Sequence, residues 1–365
     1  MERSRVGVVG CGGISPAYLT APERFPTLDV VACADLDIGR AERRAVEFGV
    51  PLACGVDDLL AMDDVDVVVN LTPPAAHHEV SLAAIAAGRS VYSEKPLAAD
   101  RAQAQELIAA ARDRGVLLGC SPDTFLGPAY QTARSLVDWG AIGEPVGAVA
   151  FFASRGPDAS HQDPGFLYRP GAGPLLDMGP YYVAALVNLL GPVVRVTGST
   201  TTGTPDRLVL TGPRRGQTVP VDTPTHVSAT LTFASGAVAT LMTSFEVWAT
   251  NLPRIEVHGT GGALSLPDPD EYGGSVRWHQ AGWTSWREVP TGAFPTGRGV
   301  GLADLAAALR TGRPHRADGE LAAHVMDVLL AVLESDVRGE HLAVHTTFTP
   351  GRPVPAVGVE HDPGP

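Results

Sequence analysis

Arg5-Val6-Gly7-Val8-Val9 runs without a break into Gly10-Cys11-Gly12-Gly13-Ile14-Ser15, an apolar strand-like run that turns through glycines into a helical pattern. The glycines follow a G-x-G-x-x-[G/A/S] arrangement with serine in the last place. Such a loop turns tightly and lets the backbone approach a pyrophosphate at a helix N-terminus. Glycine-rich strand-to-helix turns also occur for purely structural reasons, so the surrounding sequence has to carry the reading. A second apolar run, Val30 to Ala34, ends in Asp35, about 20 residues beyond Ser15, where an acidic side chain accepts hydrogen bonds from an adenosine ribose diol. The same carboxylate repels a 2′-phosphate. NAD(H) is therefore favoured over NADP(H), although Arg40 and Arg43 follow closely enough to soften the preference.

Working outward, apolar runs recur at Val65 to Leu71, Ser90 to Tyr92 and Val116 to Cys120. Between them Ile38 to Phe48, His77 to Ala87 and Arg101 to Arg114 carry helical spacing and stop at Gly49, Gly88 and Gly115. This alternation predicts an α/β, doubly wound parallel sheet. From about residue 145 the texture changes. His226 to Phe233 and Ala237 to Phe245 alternate with period two across Ser235-Gly236, an antiparallel hairpin. Strands follow at Arg254 to His258, Ala263 to Leu266 and around Trp278 and Trp286, then helices at Leu302 to Leu309 and Ala322 to Leu333.

At 365 residues, 44% apolar and 18% charged, the chain has length for about two domains with a substantial core. Its 41 glycines and 31 prolines fall short of the share of roughly 25–30% that marks low complexity, which excludes wholesale disorder. A net charge of −13 opposes a phosphate backbone, so no nucleic-acid partner is expected. Cys11, Cys33, Cys54 and Cys120 match neither a paired zinc pattern nor a disulfide framework and read as reduced core thiols. His341 and His345 stand four apart without a further ligand, and no metal is expected. Met1 to Gly10 lacks the succession of a signal peptide, which predicts a cytoplasmic location. The longest charge-free apolar stretch, between Asp177 and Arg195, is broken by Pro180 and Gly191-Pro192; it predicts a buried helix and no membrane partner.

Of 27 basic residues a single one, Lys95, is lysine. Arginine is permanently protonated, whereas lysine is a compact donor whose pKa falls on burial, so a site needing an ammonium near the chemistry does not accept the exchange. Lys95 lies in Ser93-Glu94-Lys95-Pro96, directly after an apolar strand, at the sheet edge where doubly wound folds bind ligands. Taken together, Gly10 to Ser15, Asp35, Thr72-Pro73-Pro74 with His77 shortly after, and Glu94-Lys95-Pro96 resemble the Gfo/Idh/MocA oxidoreductases, the glucose-fructose oxidoreductase and inositol dehydrogenase group. The resemblance extends through Gly140 to Pro145, Gly171 to Tyr181, Phe233-x-x-Gly236 and Gly259-x-Gly261, and so covers residues 5 to about 340.

The resemblance implies a Rossmann domain over residues 1–122. After it come an α/β substrate-binding and oligomerisation domain with a large open, mostly antiparallel sheet over 123–345, and a surface tail over 346–365. It implies interconversion of a secondary alcohol and a ketone on a sugar or cyclitol by a nicotinamide cofactor, in a homodimer or homotetramer. Gly10, Gly12, Gly13, Ile14, Ser15, Asp35, Thr72, Pro73, His77 and Glu94 fall on the cofactor side, and Lys95 contacts both the cofactor and the substrate hydroxyl. In the family the proline of this motif often sits in a cis peptide, which Pro96 could adopt at modest cost. Many members carry Asp-x-Gly-x-His at a helix start; here Asp177 and Gly179 match and Tyr181 stands in the histidine's place. Residues four apart share a helix face, so Asp177 and Tyr181 point the same way. A tyrosine does the work of the histidine if an ammonium lowers its pKa from about 10, and Lys95 is the candidate. Packing alone is the other reading of Tyr181.

Tyr182 is a substrate-wall or core residue, and Ser121, Asp123, His161 and Arg169 are candidate sugar contacts. Two rival functions stay open: a regulator that senses nucleotide and sugar without catalysis, and a biosynthetic sugar ketoreductase using NADPH. The lone lysine at position 95 argues against the first and Asp35 against the second.

Overall fold

The valine-rich runs near the start of the chain become short strands buried on both faces, as parallel strands covered by helices must be. In chain order they are β1 (Ser4–Val9), α1 (Ser15–Leu19), α2 (Ala21–Arg24), β2 (Leu28–Ala34), α3 (Ile38–Phe48), β3 (Leu52–Cys54) and α4 (Val56–Leu60). Then follow β4 (Val67–Asn70), α5 (His77–Ala86), β5 (Ser90–Ser93), α6 (Arg101–Arg114) and β6 (Leu118–Cys120). Every pairing is parallel and the strand order is β3-β2-β1-β4-β5-β6, the doubly wound arrangement expected of a Rossmann sheet. Helix α6 begins at Asp100, whose side chain accepts the Gln103 N–H, and stops at Gly115 in the left-handed region. The three-residue β3 carries no apolar run long enough to be read from sequence.

This computed structural model describes residues 3–292 and 295–354. They divide into two units: residues 3–128, 295–326 and 348–354 form one, and residues 129–292 and 327–347 the other. The second unit contains α7 (Pro128–Asp138), β7 (Pro145–Ala153), α8 (Gly173–Leu190), β8 (Val193–Thr201), β9 (Asp206–Leu208), β10 (Thr218–Pro220), β11 (His226–Phe233) and β12 (Val238–Ser244). It continues through β13 (Ile255–Gly259), β14 (Gly262–Leu266), β15 (Val276–Gln280) and β16 (Arg287–Val289). After α9 (Val300–Thr311) and α10 (Gly319–Arg338), β17 (Leu342–Ala343) closes a nine-stranded sheet in the order β16-β15-β14-β13-β7-β12-β11-β8-β17. Only β7 and β12 pair in parallel; the other neighbours are antiparallel. The hairpin sits where the period-two pattern puts it: Ala229, Leu231, Ala239 and Leu241 are buried under α8, while Ser228, Thr230 and Thr240 face outward. The charge-free stretch forms α8, nearly all buried, with Gly179 where a Cβ would come within 2.8 Å of Leu329.

The segment from residue 295 to 326 returns to the first unit, although the reading by resemblance places it in the second. Three backbone ties hold it there: Gly301 N–H donates to the Asp123 carboxylate at 2.8 Å, Cys120 N–H to the Ala317 carbonyl at 3.0 Å, and a His315 ring nitrogen lies 3.0 Å from the Leu118 carbonyl. Within the expected surface tail, Phe348 is buried with its ring against His324; residues 355–365 lie outside the described residues. All four cysteines are buried and unbridged, and burial pushes the Cys120 thiol up. Among the described residues no helix is long and apolar enough to cross a membrane, and no group of three or more His, Cys, Asp or Glu side chains converges to hold a metal.

Candidate functional site

The crevice at the carboxyl ends of β1 and β4 is the point where the chain departs in opposite directions from neighbouring strands. Gly10 lines it with φ +98, and a Cβ there would lie 2.7 Å from the Leu71 carbonyl, so the loops after β1 and β4 meet only because residue 10 has no side chain. Gly12 and Gly13 have nothing within 4 Å of a built Cβ; the loop is bare where a phosphate would approach. Ile14 caps the five-residue α1 and is partly exposed, while the buried Ser15 donates its hydroxyl to the Gly12 carbonyl at 2.8 Å. Serine in the last fingerprint position thus closes the turn.

Asp35, at the end of β2, accepts the Cys11 N–H at 2.8 Å and the Asp37 N–H at 2.9 Å, with the Arg40 guanidinium 3.5 Å from both oxygens. Beside it Cys11, Gly12, Gly13, Arg40, Arg43, Arg44 and Glu47 line a concavity of about 470 Å³. Arg44 was not singled out by the sequence reading. It reaches back to the carbonyls of Cys11 and Gly12 at 3.5 and 3.4 Å, and its place one turn beyond Arg40 is the signal that could have found it.

Thr72 donates its hydroxyl to the Asn70 side chain at 2.6 Å, and Pro73 is exposed. The ring nitrogens of the buried His77 lie 2.7 Å from the Thr72 carbonyl and 2.6 Å from the Pro96 carbonyl. His77 thereby joins the loop after β4 to the tripeptide after β5. The Lys95–Pro96 bond is cis. Lys95 is half-buried, and its backbone N–H donates to the Glu94 carboxylate at 3.2 Å. The other Glu94 oxygen accepts the Tyr18 hydroxyl at 2.8 Å and Arg298 Nη1 at 2.9 Å. Neither Tyr18 nor Arg298 was foreseen; nothing local to the tripeptide signals a partner two hundred positions away. The Gly10 contact and the His77 tie therefore bring the cofactor-side candidates together with Lys95 on one edge of the first sheet.

Ser121 and Asp123 follow β6 on that edge, but both are buried. The Ser121 hydroxyl lies 3.0 Å from that of Tyr18, and Asp123 holds the Gly301 N–H. With no accessible surface Asp123 acts here as an anchor and offers no face to a sugar.

In the second unit Asp177 and Tyr181 lie on α8 one turn apart, Asp177 half-buried and Tyr181 buried. Tyr182 has no accessible surface. Its hydroxyl donates to Asp268 at 3.3 Å, its ring stands edge-on to Phe152, and burial beside the Asp268 carboxylate pushes its phenol up. Of the two readings open for Tyr182, the core residue describes it. His161 and Arg169 are exposed; the His161 ring accepts the Asp163 N–H and stands edge-on to Phe166. A buried polar group that the sequence reading missed lies in the same unit: Arg207 donates to Asp158 at 3.3 Å and to Glu246 at 2.6 Å, and Tyr168 donates to Asp158. No motif marks it.

A family description for an oxidoreductase family with an NAD-binding Rossmann fold matches residues 4–121, and one for the GFO/IDH/MocA C-terminal domain matches residues 130–265. Among curated relatives, the dTDP-3,4-didehydro-2,6-dideoxy-alpha-D-glucose 3-reductase of Actinomadura kijaniata is 36% identical over 209 residues, 57% of this chain. That alignment spans 62% of the reductase, less than two thirds of its length. The 1,5-anhydro-D-fructose reductase of Ensifer adhaerens is 30% identical over 266 residues, 72% of this chain and 75% of that one. Among solved structures, an NAD binding oxidoreductase from Klebsiella pneumoniae superposes with a TM-score of 0.79 at 26% identity, covering 94% of this chain and 99% of that one.

Proposed function

The chain belongs to the GFO/IDH/MocA oxidoreductase family, and from that premise we propose that it interconverts a secondary alcohol and a ketone on a sugar or cyclitol, using NAD(H) in preference to NADP(H). The observation that carries the reading is the edge of the first sheet: a bare glycine loop at the switch point, tied through Leu71, Thr72 and His77 to the tripeptide holding the only lysine. The residues present fit a dinucleotide. Gly12 and Gly13 leave the loop open, Asp35 stands at the end of β2, and Thr72, Pro73, His77 and Glu94 border the path towards Lys95.

When bound, the nicotinamide supplies the hydride acceptor or donor, the division of labour expected of a cofactor enzyme. The chain's own groups handle the proton. In oxidation Tyr181 takes the substrate hydroxyl proton while the Lys95 ammonium stabilises the developing alkoxide; in reduction the roles reverse. Asp177 orients the substrate or Lys95. The ketoreductase direction is supported by the reductase relatives, which act on a keto sugar nucleotide and on an anhydro sugar by their names. A homodimer or homotetramer through the outward Ser and Thr face of the second sheet completes the proposal.

The test titrates the protein with NADH and NADPH by nicotinamide fluorescence, then follows nicotinamide absorbance against a panel of polyols, sugars and keto sugars. Turnover on one class, lost in Lys95→Ala while that variant still binds dinucleotide, is the expected result. Full activity of Lys95→Ala sinks the assignment, and binding without turnover on any substrate returns the weight to a regulator.

A further inference from the structure

At one end of the second sheet Ala153, Ser244, His226 and Thr201 lie side by side in register. The chain leaves the sheet there three times, over residues 154–172 after β7, 202–225 between β8 and β11, and 245–254 after β12. One buried guanidinium ties the three excursions together. Arg207, on β9, has 9% of its side chain exposed and spends its two terminal nitrogens on four acceptors. Nη1 donates to Asp158 at 3.3 Å and to the Arg155 carbonyl at 3.1 Å; Nη2 donates to Glu246 at 2.6 Å and to the Phe245 carbonyl at 2.9 Å. Asp158 also takes the Tyr168 hydroxyl and stands 3.7 Å from the Arg155 guanidinium, while Glu246 takes the Thr225 hydroxyl at 2.5 Å. Backbone bonds follow the same lines: Leu210 N–H donates to the Asp158 carbonyl at 2.9 Å and Asp222 N–H to the Tyr168 carbonyl at 2.8 Å. The 202–225 excursion then reaches the start of α8, where Thr223 donates its hydroxyl to the Ala172 carbonyl at 3.3 Å and a Cβ on Gly173 would lie 2.8 Å from the Pro224 carbonyl.

A buried ion pair adds little net stability over apolar side chains of the same size, and its attested use is to select one arrangement. Apolar packing is already present at this place: Tyr168, Val209, Val219 and Phe245 form a buried cluster of their own, and the Arg207 guanidinium lies over the Tyr168 ring. The arrangement that the charges select is that of the 154–172 excursion, which carries the exposed His161 and Arg169 and runs straight into the turns of α8 that hold Asp177 and Tyr181. We propose that Arg207 is a positioning residue for sugar recognition. It locks the 154–172 excursion to the first turns of α8 and so fixes where His161 and Arg169 meet the sugar. The proposal rests on the sugar-side reading of those residues given above and deepens it. Arg207 acts through Asp158, Tyr168 and Glu246, not on the reacting atoms.

The experiment measures KM, kcat and the NADH dissociation constant of the whole protein for the wild type, Arg207→Met, Arg207→Lys and Tyr168→Phe, well below the Tm of each. The substrate is the member of a polyol, sugar and keto-sugar panel, myo-inositol, D-glucose and 1,5-anhydro-D-fructose among them, that the wild type turns over fastest. Tyr168→Phe removes one hydroxyl and no charge and should raise KM about three- to tenfold. Arg207→Met strands two carboxylates and should raise it on the order of 100-fold. Arg207→Lys keeps the charge but loses the fork, and should fall between the wild type and Arg207→Met. In all three, kcat and the NADH constant should stay within about twofold, the pattern of lost substrate binding. An unchanged KM, a fall in kcat at constant KM, or NADH affinity that weakens in step with KM overturns the proposal and leaves the cluster as scaffolding. Should both Arg207 variants fail to fold, Tyr168→Phe decides alone. A wild type that binds NADH yet turns over no member of the panel overturns the sugar reading together with this one, whereas an active wild type with unmoved variants overturns this one only.

Discussion

Replacing Arg298 by alanine tests whether the tripeptide holding Lys95 depends on a residue from the far end of the chain. The Glu94 and Arg298 side chains are 12% and 19% exposed, with a contact of 2.9 Å, so the pair lies between the buried and surface cases. Breaking a fully buried pair costs about 3–5 kcal/mol, because the remaining charge is stranded; an exposed one costs about 0–1 kcal/mol. Glu94 would not be stranded: the Tyr18 hydroxyl at 2.8 Å and the Lys95 N–H at 3.2 Å still reach its oxygens. That leaves mainly the lost charge-assisted bond, about 2 kcal/mol. For a unit of this size the loss lowers Tm by about 4–8 °C. Urea unfolding of Arg298→Ala, Glu94→Gln and the double variant isolates the coupling, expected at about 1–2 kcal/mol. Turnover should fall in step, since the Lys95 backbone is one of the groups Glu94 holds. A coupling under about 0.5 kcal/mol refutes the reasoning and makes the contact an ordinary surface pair.

Gly10→Ala places a Cβ 2.7 Å from the Leu71 carbonyl at a φ of +98 and should cost about 3 kcal/mol together with dinucleotide binding; a wild-type Tm and affinity would overturn that. Tyr181→Phe removes the hydroxyl but keeps the ring, and turnover should drop roughly 100- to 10,000-fold; an unchanged rate assigns the proton to Asp177 or water. Burial pushes the Asp318 carboxyl up to about 6 from 3.8. Between those values the folded chain holds the proton more tightly than the unfolded chain. Stability therefore falls as pH rises from about 4 to about 6, by up to about 3 kcal/mol, and stays lower above that range. Asp318→Asn, which still offers an acceptor to the Leu321 N–H, should flatten the slope in urea unfolding at the two ends of that window.

The strands of the first sheet were legible because parallel strands buried on both faces read as unbroken apolar runs, and the hairpin was legible because one face of its sheet is wet. The glycine loop, Asp35 and Lys95 announced themselves by spacing and by rarity. What spacing cannot carry is the side of a backbone that faces solvent. Asp123 and Tyr182 adjoin the motifs as closely as any ligand-facing residue would, yet one ends on the Gly301 N–H and the other on Asp268. Arg298 was invisible for a different reason: its partnership with Glu94 exists only after the chain has left the first unit and come back.

That return has a consequence for biosynthesis. The first sheet is complete at Cys120, but the groups that tie Asp123, Glu94 and the edge at β6 to the rest of the unit come from residues 298 to 317. The nascent first unit therefore waits, without the Gly301 and Arg298 contacts to Asp123 and Glu94, while eight of the nine strands of the second sheet are made. Non-local closure of that kind slows folding and exposes intermediates. Any fragment ending near residue 128, and any chimera that exchanges the first unit with that of a relative, has to carry residues 295–326 with it to be the same unit.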